Sequence, residues 1–323
     1  MISYLLRRLV QVIPTLIGIS LISFFLMQLA PGGPIDRIAD LNPHVTPEAK
    51  ARIRHDMGLD RPIPVQYLRW VKHLALLDFG ASFTDGRPVL DKIAERLPAT
   101  ILLNVLAIGL MFLLALPIGW LSAIKAHSLF DKAMTVFVFI GFSLPTYALA
   151  LWLMIVFGLK LGWLPISGLS SLNFLPVPLW RKILDIARHL VLPTLVLGGT
   201  DLAGLSRYTR NSLLEVIHQD FIRAARAKGL SFWRVYGVHA VRNALIPILT
   251  ILGLMLPDLI GGGVIIETIF AYPGMGRLGY EAIMTRDYNL IMAITVISAA
   301  LTVLGNFMAD VLYAYADPRI RYR

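Results

Sequence analysis

The residues that could do chemistry fall into few patterns. Gly274-Met-Gly-Arg-Leu-Gly279 has the G-x-G-x-x-G spacing of a dinucleotide phosphate turn and follows the β-branched run Val264 to Ile269. That turn works between a strand and a helix of a βαβ unit, with an acidic residue about 20 positions on. Here the stretch joins two long apolar runs, and residues 297 to 301 read Ile-Ser-Ala-Ala-Leu. A tight turn is the better reading. The seven histidines, His44, His55, His73, His127, His189, His218 and His239, include no H-x-x-x-H pair and no carboxylates at ligand spacing. They predict surface or interfacial roles and no metal. The sequence has no G-x-x-x-x-G-K-[ST] stretch, so it carries no phosphate loop. With no cysteine, disulfides, iron–sulfur clusters and thiolate zinc sites are excluded.

Three carboxylates remain. Asp201, Asp258 and Asp310 lie in or near apolar runs, where a charge normally turns to a cavity, a partner or the protein interior. For Asp201 and Asp258 a place on a translocation path is one reading. The other is local: Asp201 and Asp310 near cytoplasmic ends, and Asp258 bonding backbone groups freed by Pro257. Gly261-Gly262-Gly263 can permit close helix packing or a bend.

The elements that hold these residues follow from composition. The chain has 323 residues, 57% hydrophobic and 15% charged, with a mean hydropathy of +0.69, against roughly a quarter charged in soluble domains. Six apolar runs of near bilayer-spanning length predict an all-α integral membrane protein: Leu9 to Ala30, Ile101 to Ile124, Ala133 to Leu159, Leu190 to Leu205, Ala244 to Ile266 and Leu290 to Tyr313. The first run is too long for a signal segment and ends in Pro31-Gly32-Gly33-Pro34, so it reads as a retained helix. The formal charge of +10 lies in loops between the runs and not on one folded face, which argues against nucleic acid. Lys and Arg concentrate at Arg7 and Arg8, at Lys125 and Lys132, from Arg207 to Arg242, and at Arg319, Arg321 and Arg323. The short loop 267–287 has only Arg277 and Arg286. The contrast predicts both termini in the cytoplasm.

This gives residues 1–30 as an N-terminal transmembrane helix and 31–97 as an extracytoplasmic helical segment. Residues 98–316 form a core with five transmembrane helices and a cytoplasmic loop at 206–242, and 317–323 a cytoplasmic tail. In the outer segment Thr46 can cap a helix with Pro47 at its first position and Gly58 past its end, and a second helix is expected over Val65 to Leu76. Residues 179 to 190 segregate charge from apolar side chains, as in a helix lying at the outer interface.

The loop 206–242 carries the functional signal in Asp220-Phe-Ile-Arg-Ala-Ala-Arg-Ala-Lys-Gly-Leu-Ser231. Asp220 favours a helix start, Gly229 can leave the helix in a left-handed conformation, and Ser231 can cap the next helix. On the short helix Phe221 and Ile222 offer an apolar anchor, Ala224 and Ala225 allow close approach, and Arg223, Arg226 and Lys228 present positive charge. That is a docking element, although basic residues here also follow from topology alone.

Ala224, Ala225 and Gly229 resemble, in type and spacing, the Glu-Ala-Ala, three residues, Gly signature of membrane permeases of binding-protein-dependent ABC importers. Arg223 stands where that signature has Glu, and His239 to Arg242 where it has Ile-x-Leu-Pro. These departures resemble the B-type subunit of dipeptide and oligopeptide importers, whose relatives include nickel and glutathione importers. The similarity runs through Leu5-Leu-Arg-Arg-Leu, Ala30 to Pro34, Met57-Gly-Leu-Asp60 with Pro62, Gln66, Tyr67 and Trp70, and Asp78-Phe-Gly-Ala-Ser82. It continues through Arg242-Asn-Ala-Leu-Ile-Pro247, Glu267-Thr-Ile-Phe270, Pro273-Gly-Met-Gly276 and Asp317-Pro-Arg-Ile-Arg321. The resemblance implies the type I, MetI-like permease fold and import of peptides, with a nickel complex or glutathione as alternatives. It implies no catalytic residue and no cofactor bound by this chain. Its implied partners are a second homologous permease, two ABC ATPase subunits that use ATP and Mg, an extracytoplasmic binding protein and the lipid bilayer. A secondary transporter driven by an ion gradient through Asp201 and Asp258 is the rival reading.

Overall fold

The computed structural model describes residues 2–29, 55, 60–142, 144–171 and 178–316. The expected helix from Thr46 to Gly58, the link at Pro31 to Pro34 and the tail 317–323 lie outside the described residues. Contacts divide the chain into two compact units: Met1–Thr100 with Ile260–Val264 and Gly274–Arg323, and Ile101–Leu259 with Ile265–Pro273.

In the first unit α1 (Ile2–Leu29) packs against α13 (Tyr288–Ala316). The helix expected over Val65 to Leu76 is present as α2 (Ile63–Ala75), opened by Pro62. It meets α1 through an aromatic cluster of Phe24, Tyr67 and Trp70, and the Tyr67 and Ser20 hydroxyls are 2.8 Å apart. Residues 80–88 then make a hairpin-like turn into α3 (Val89–Ile124). The helix expected to begin at Ile101 therefore begins at Val89. Asp91 in its first turn complements the helix dipole. The buried side chains Val89 and Ile93 pack on Met275, Leu278 and Ala282 of α12 (Met275–Met284) and on Leu290 and Ala293 of α13. Gly274 to Gly279 thus forms the start of a helix and not the tight turn expected, and the β-branched run Val264 to Ile269 before it is helical, so no strand precedes it.

The same turn is pinned by polar contacts. Asp287, fully buried, accepts hydrogen bonds from the hydroxyls of Ser82 and, at 3.3 Å, Thr84, and from the Leu290 N–H at 3.3 Å. Lys92 Nζ donates to Ser82 Oγ and to Asp85, both at 3.0 Å. Asp287 immediately precedes α13 and its backbone N–H donates to Ala282 O of α12 at 2.9 Å, so the carboxylate ties the hairpin to the start of α13 while the backbone meets the end of α12.

In the second unit the run expected to span from Ala133 to Leu159 is divided into α4 (Leu129–Phe142) and α5 (Thr146–Leu153), the latter continuing as a π-helix, Met154–Lys160. Pro145 is the physical reason: it has no N–H to donate and restricts Leu144 before it. The expected interfacial helix 179–190 is instead the first half of α6 (Leu179–Thr200), one continuous helix. The run Leu190 to Leu205 breaks at Asp201, where α7 (Leu202–Ile217) begins. Four helices among the described residues are long and apolar enough to span: Val10–Leu29, Val89–Ile124, Leu179–Thr200 and Tyr288–Met308. A fifth is bent by 47° between Trp233–Leu245 and Pro247–Gly261, with Pro247 at the break. Gly262, at φ +66, separates α10 (Asp258–Gly261) from α11 (Val264–Ile269). At the glycine triplet the structure shows a helix interruption.

Small residues set the helix spacing. A Cβ at Gly198 of α6 would lie 2.7 Å from the Ala107 carbonyl oxygen of α3, and one at Gly119 of α3 would lie 2.6 Å from Ser206 O and Thr209 Cβ of α7. Both glycines permit backbone-level contact between helices.

Candidate functional site

The docking segment folds as a short helix, α8 (Asp220–Ala227), after the extended residue Gln219. The Gln219 carbonyl accepts the Ile222 N–H at 3.1 Å, and Asp220 sits in the first turn with Arg226 in the last, both favourable for the dipole. Gly229 has φ +74. Its N–H bonds Arg226 O at 2.9 Å, and the Leu230 N–H reaches back to Ala225 O at 3.4 Å. These two bonds around a left-handed residue form a Schellman stop. The stop expected at Gly229 is thus present in backbone detail. Ser231 contributes its carbonyl to Val235 N–H at 3.0 Å and makes no side-chain cap.

The structure divides the eight candidate residues into two faces. Ile222 is 1% exposed and packs inward with Ala123, Leu213, Val216, Val235, Ala240 and Ala244; Ala225 and Leu230 border the same cluster. Phe221 (39% exposed), Arg223, Ala224, Arg226, Lys228 and Gly229 face outward. Ile222 is therefore the anchor to the chain's own core, and only Phe221 of the pair is offered outward. Arg223 Nη1 lies 3.4 Å from Asp220 Oδ1, an exposed pair within one turn.

What α8 rests on was only partly legible. The helix that follows, Trp233–Ala240, is π-wound and leads into α9 (Val241–Leu254). Trp120 from α3 stacks on Trp233 with ring centroids 5.5 Å apart and donates its indole N–H to Tyr236 O at 3.1 Å. This supplies a donor to a carbonyl inside the irregular turn. At the start of α4, Asp131 is gripped by Arg210 of α7 through two bonds, Nε to Oδ1 at 2.8 Å and Nη2 to Oδ2 at 2.7 Å. The His127 N–H adds a third at 2.9 Å. The Arg210 guanidinium holds the Asp131 carboxyl below the usual carboxylate range. Sequence reasoning missed this pair; the available signal was an acid following Ser128 in a short basic turn.

Asp201 is the junction of α6 and α7, with φ −104 and its carbonyl accepting the Leu205 N–H at 2.9 Å. Asp258 opens α10. Both side chains are exposed within their unit and lie in electrostatic range of each other. The carbonyls of Asp258 and Leu259 are met by Asn104 Nδ2 at 2.8 and 3.2 Å. Asn104, which the sequence did not single out, thus performs the local role that had been one explanation of Asp258. Nearby in sequence, Tyr272 is fully buried, and burial together with the Glu267 carboxylate pushes its phenol above the ordinary value. Among the described residues no three His, Asp or Glu side chains converge as metal ligands.

A chain of apolar helices, interrupted at polar breaks and carrying a short amphipathic helix on a basic loop, is the architecture of an all-helical membrane protein. Comparison gives that class its family. Residues 115–322 match the family described as the binding-protein-dependent transport system inner membrane component, and residues 1–104 match its N-terminal membrane component. The chain is 43% identical over 323 residues to the oligopeptide transport system permease protein AppB of Bacillus subtilis (strain 168), covering 100% of both chains. It is 39% identical over 336 residues to the di/tripeptide transport system permease protein DppB of Pseudomonas aeruginosa (strain UCBPP-PA14), again covering 100% of both. Its fold is similar to that of a chain of the MetNI methionine ABC transporter in an inward-facing conformation, with TM-score 0.54 and 20% identity, over 71% of this chain and 97% of that one. The chain belongs to the family of inner membrane components of binding-protein-dependent transport systems, and its fold is the all-helical MetI-like permease fold.

Proposed function

We propose that this chain is the permease subunit of an ATP-driven importer, passing peptides delivered by an extracytoplasmic binding protein. It pairs with a second, similar permease above two ATPase subunits. The chain itself does no catalysis; ATP and Mg are used by the partner subunits. Both termini face the cytoplasm, which puts α8 on the ATPase side. The observation that carries this reading is α8 itself, a short helix anchored inward by Ile222 and stopped by Gly229, with Phe221, Arg223, Ala224, Arg226 and Lys228 turned outward. ATP-driven closure of the ATPases moves this helix, and the helices it rests on alternate access for the substrate. Peptides are the favoured cargo because whole-length relatives are named for peptide transport.

Asp201 and Asp258 belong, in this reading, to the translocation path. They are exposed carboxylates at helix breaks, and no cation pairs with either among the described residues. A peptide's ammonium group is the chemistry they suit.

The decisive experiment is a cysteine cross-link, because the parent sequence contains no cysteine. Ala224→Cys, on the outward face, is the probe; Ala225 borders the inner cluster and is less suitable. The expected result is a nucleotide-sensitive adduct with the ATPase subunit. No adduct, with peptide uptake persisting without ATP, would instead establish a gradient-driven transporter.

A further inference from the structure

We propose that the Arg210–Asp131 fork is a positioning device that makes α4 move with the docking helix. The inference rests on the reading of α8 as the ATPase-coupling element and goes beyond it to how movement there reaches the membrane helices.

Within this unit α8 is joined to the end of α7 through one apolar cluster, in which Ile222 lies with Leu213 and Val216 of α7 and with Val235 and Ala240 of the π-wound helix that follows α8. α7 is in turn fixed to α3 at Gly119, where the Ser206 carbonyl and Thr209 leave no room for a Cβ. These contacts make α3, α7 and α8 one body. α4 is different. Val136, Phe137 and Ile140 are exposed on its outer side, and among its described residues the buried apolar side chain is Val138, which packs in a cluster with Leu202 and Leu205 near the start of α7 and with Met111 and Ala115 of α3. Seven residues earlier stands Asp131, and it meets Arg210 further along α7, toward α8. α4 therefore touches α7 at two points along its length, an apolar one near the α6 end and an ionic one near the docking end.

The ionic point is built to resist turning. A forked pair fixes the plane of both groups, where a single bond would act as a swivel. Asp131 is 4% exposed, so water competes poorly for it. Its third bond comes from the His127 N–H, and His127 holds φ +64, a left-handed conformation uncommon for a residue with a side chain. The α3–α4 turn thus closes around the carboxylate that Arg210 holds. Rotation of α7 driven from α8 carries the docking end of α4 with it through this fork; without it, that end loses its ionic contact with α7 and can lag behind the apolar cluster around Val138.

The test uses the full transporter in proteoliposomes with Asp131→Asn, Arg210→Gln and Arg210→Lys, and with the exchanged pair Asp131→Arg/Arg210→Asp. ATP hydrolysis and peptide uptake are read in the same vesicles. The expected result is retained hydrolysis with uptake per ATP reduced at least about fivefold in Asp131→Asn and Arg210→Gln. Arg210→Lys, which keeps charge but not the fork, falls between, and the exchanged pair regains part of the loss. A readout that a purely structural role would leave unmoved is the distance between spin labels at Val136→Cys on α4 and Glu215→Cys on α7. Across the nucleotide cycle that distance stays constant in the parent and changes or broadens in Asp131→Asn. If the fork variants keep uptake per ATP and the label distance at parental values, the proposal is overturned. Should Arg210→Lys alone fold, its parental behaviour in both readouts overturns it equally. Failure of the ATPase cross-link from α8 would sink the coupling reading instead, and the label distance would still report whether the fork holds α4 to α7.

Discussion

Replacing Gly229 separates backbone geometry from side-chain contact, because a Cβ there meets nothing within 4 Å. Within this chain the effect comes from the left-handed φ of +74, and Gly229→Asn, which also adds a side chain to the outward face, controls for contact with a partner. An L-residue in that conformation costs about 1–2 kcal/mol, and a β-branched side chain is at the upper end. Opening the turn instead forfeits the bonds from Gly229 N–H to Arg226 O and from Leu230 N–H to Ala225 O, and it displaces Arg226 and Lys228 from the outward face. A penalty of one or two kcal/mol lowers the population of the correct helix end about 5–30-fold relative to the open form. Gly229→Val is therefore expected to weaken ATPase association and uncouple uptake from hydrolysis, Gly229→Ala to do so partially, and Gly229→Asn, which tolerates the left-handed region, to stay near the parent. Co-purification of the ATPase and uptake per ATP hydrolysed measure this. If Val behaves like Asn, the left-handed stop does not position the docking helix, and the reasoning fails.

Three further outcomes follow from the packing. Ile222→Ala removes the buried anchor and is expected to destabilise its unit by about 2–5 kcal/mol, seen as a lower unfolding midpoint in detergent, with ATPase association also weakened although Ile222 faces inward. Gly198→Val must push a Cβ into the Ala107 carbonyl; about 1–3 kcal/mol of destabilisation is expected, and an unchanged midpoint would show that α3 and α6 do not approach as described. For Asp131 the folded pKa is depressed by Arg210, so its stabilisation is complete above the ordinary carboxylate value of about 4. It is lost as pH falls through the lowered value. Asp131→Asn should flatten the acid limb of the stability profile, measured by unfolding at stepped pH.

The sequence was most informative where one residue type admits one conformation. Gly229 at a helix end announced a left-handed stop, and the apolar runs announced spanning helices, because both signals are local and strong. The runs misled where local breaks compete with hydropathy: Pro145 divides α4 from α5, and Asp201 ends α6. Hydropathy also could not show that the amphipathic stretch from Leu179 continues into an apolar one, since a helix crosses from interface to core without a break in its own backbone bonds. The faces of α8 were only half legible, because Phe221 and Ile222 are both apolar and adjacent, so composition could not say which turned inward.

The residues that sequence reasoning missed share one property: each acts through a partner far away in the chain. Asp131 finds Arg210, Trp120 finds Tyr236, Asn104 finds the backbone after Pro257, and Ser82 finds Asp287. None has a periodic signature, and no local signal names the distant partner. Trp120 and Asn104 answer backbone groups freed by an irregular or broken helix, while Asp131 and Asp287 stand at helix starts and bind a turn to another helix. A permease that must change shape needs breaks in its spans, and each break exposes polar backbone that cannot be left to hydrocarbon. The long-range side chains are the other half of those breaks: they satisfy the freed groups and join helices distant in the chain. Gly229 sets where α8 ends, and Arg210 joins α7 to the start of α4.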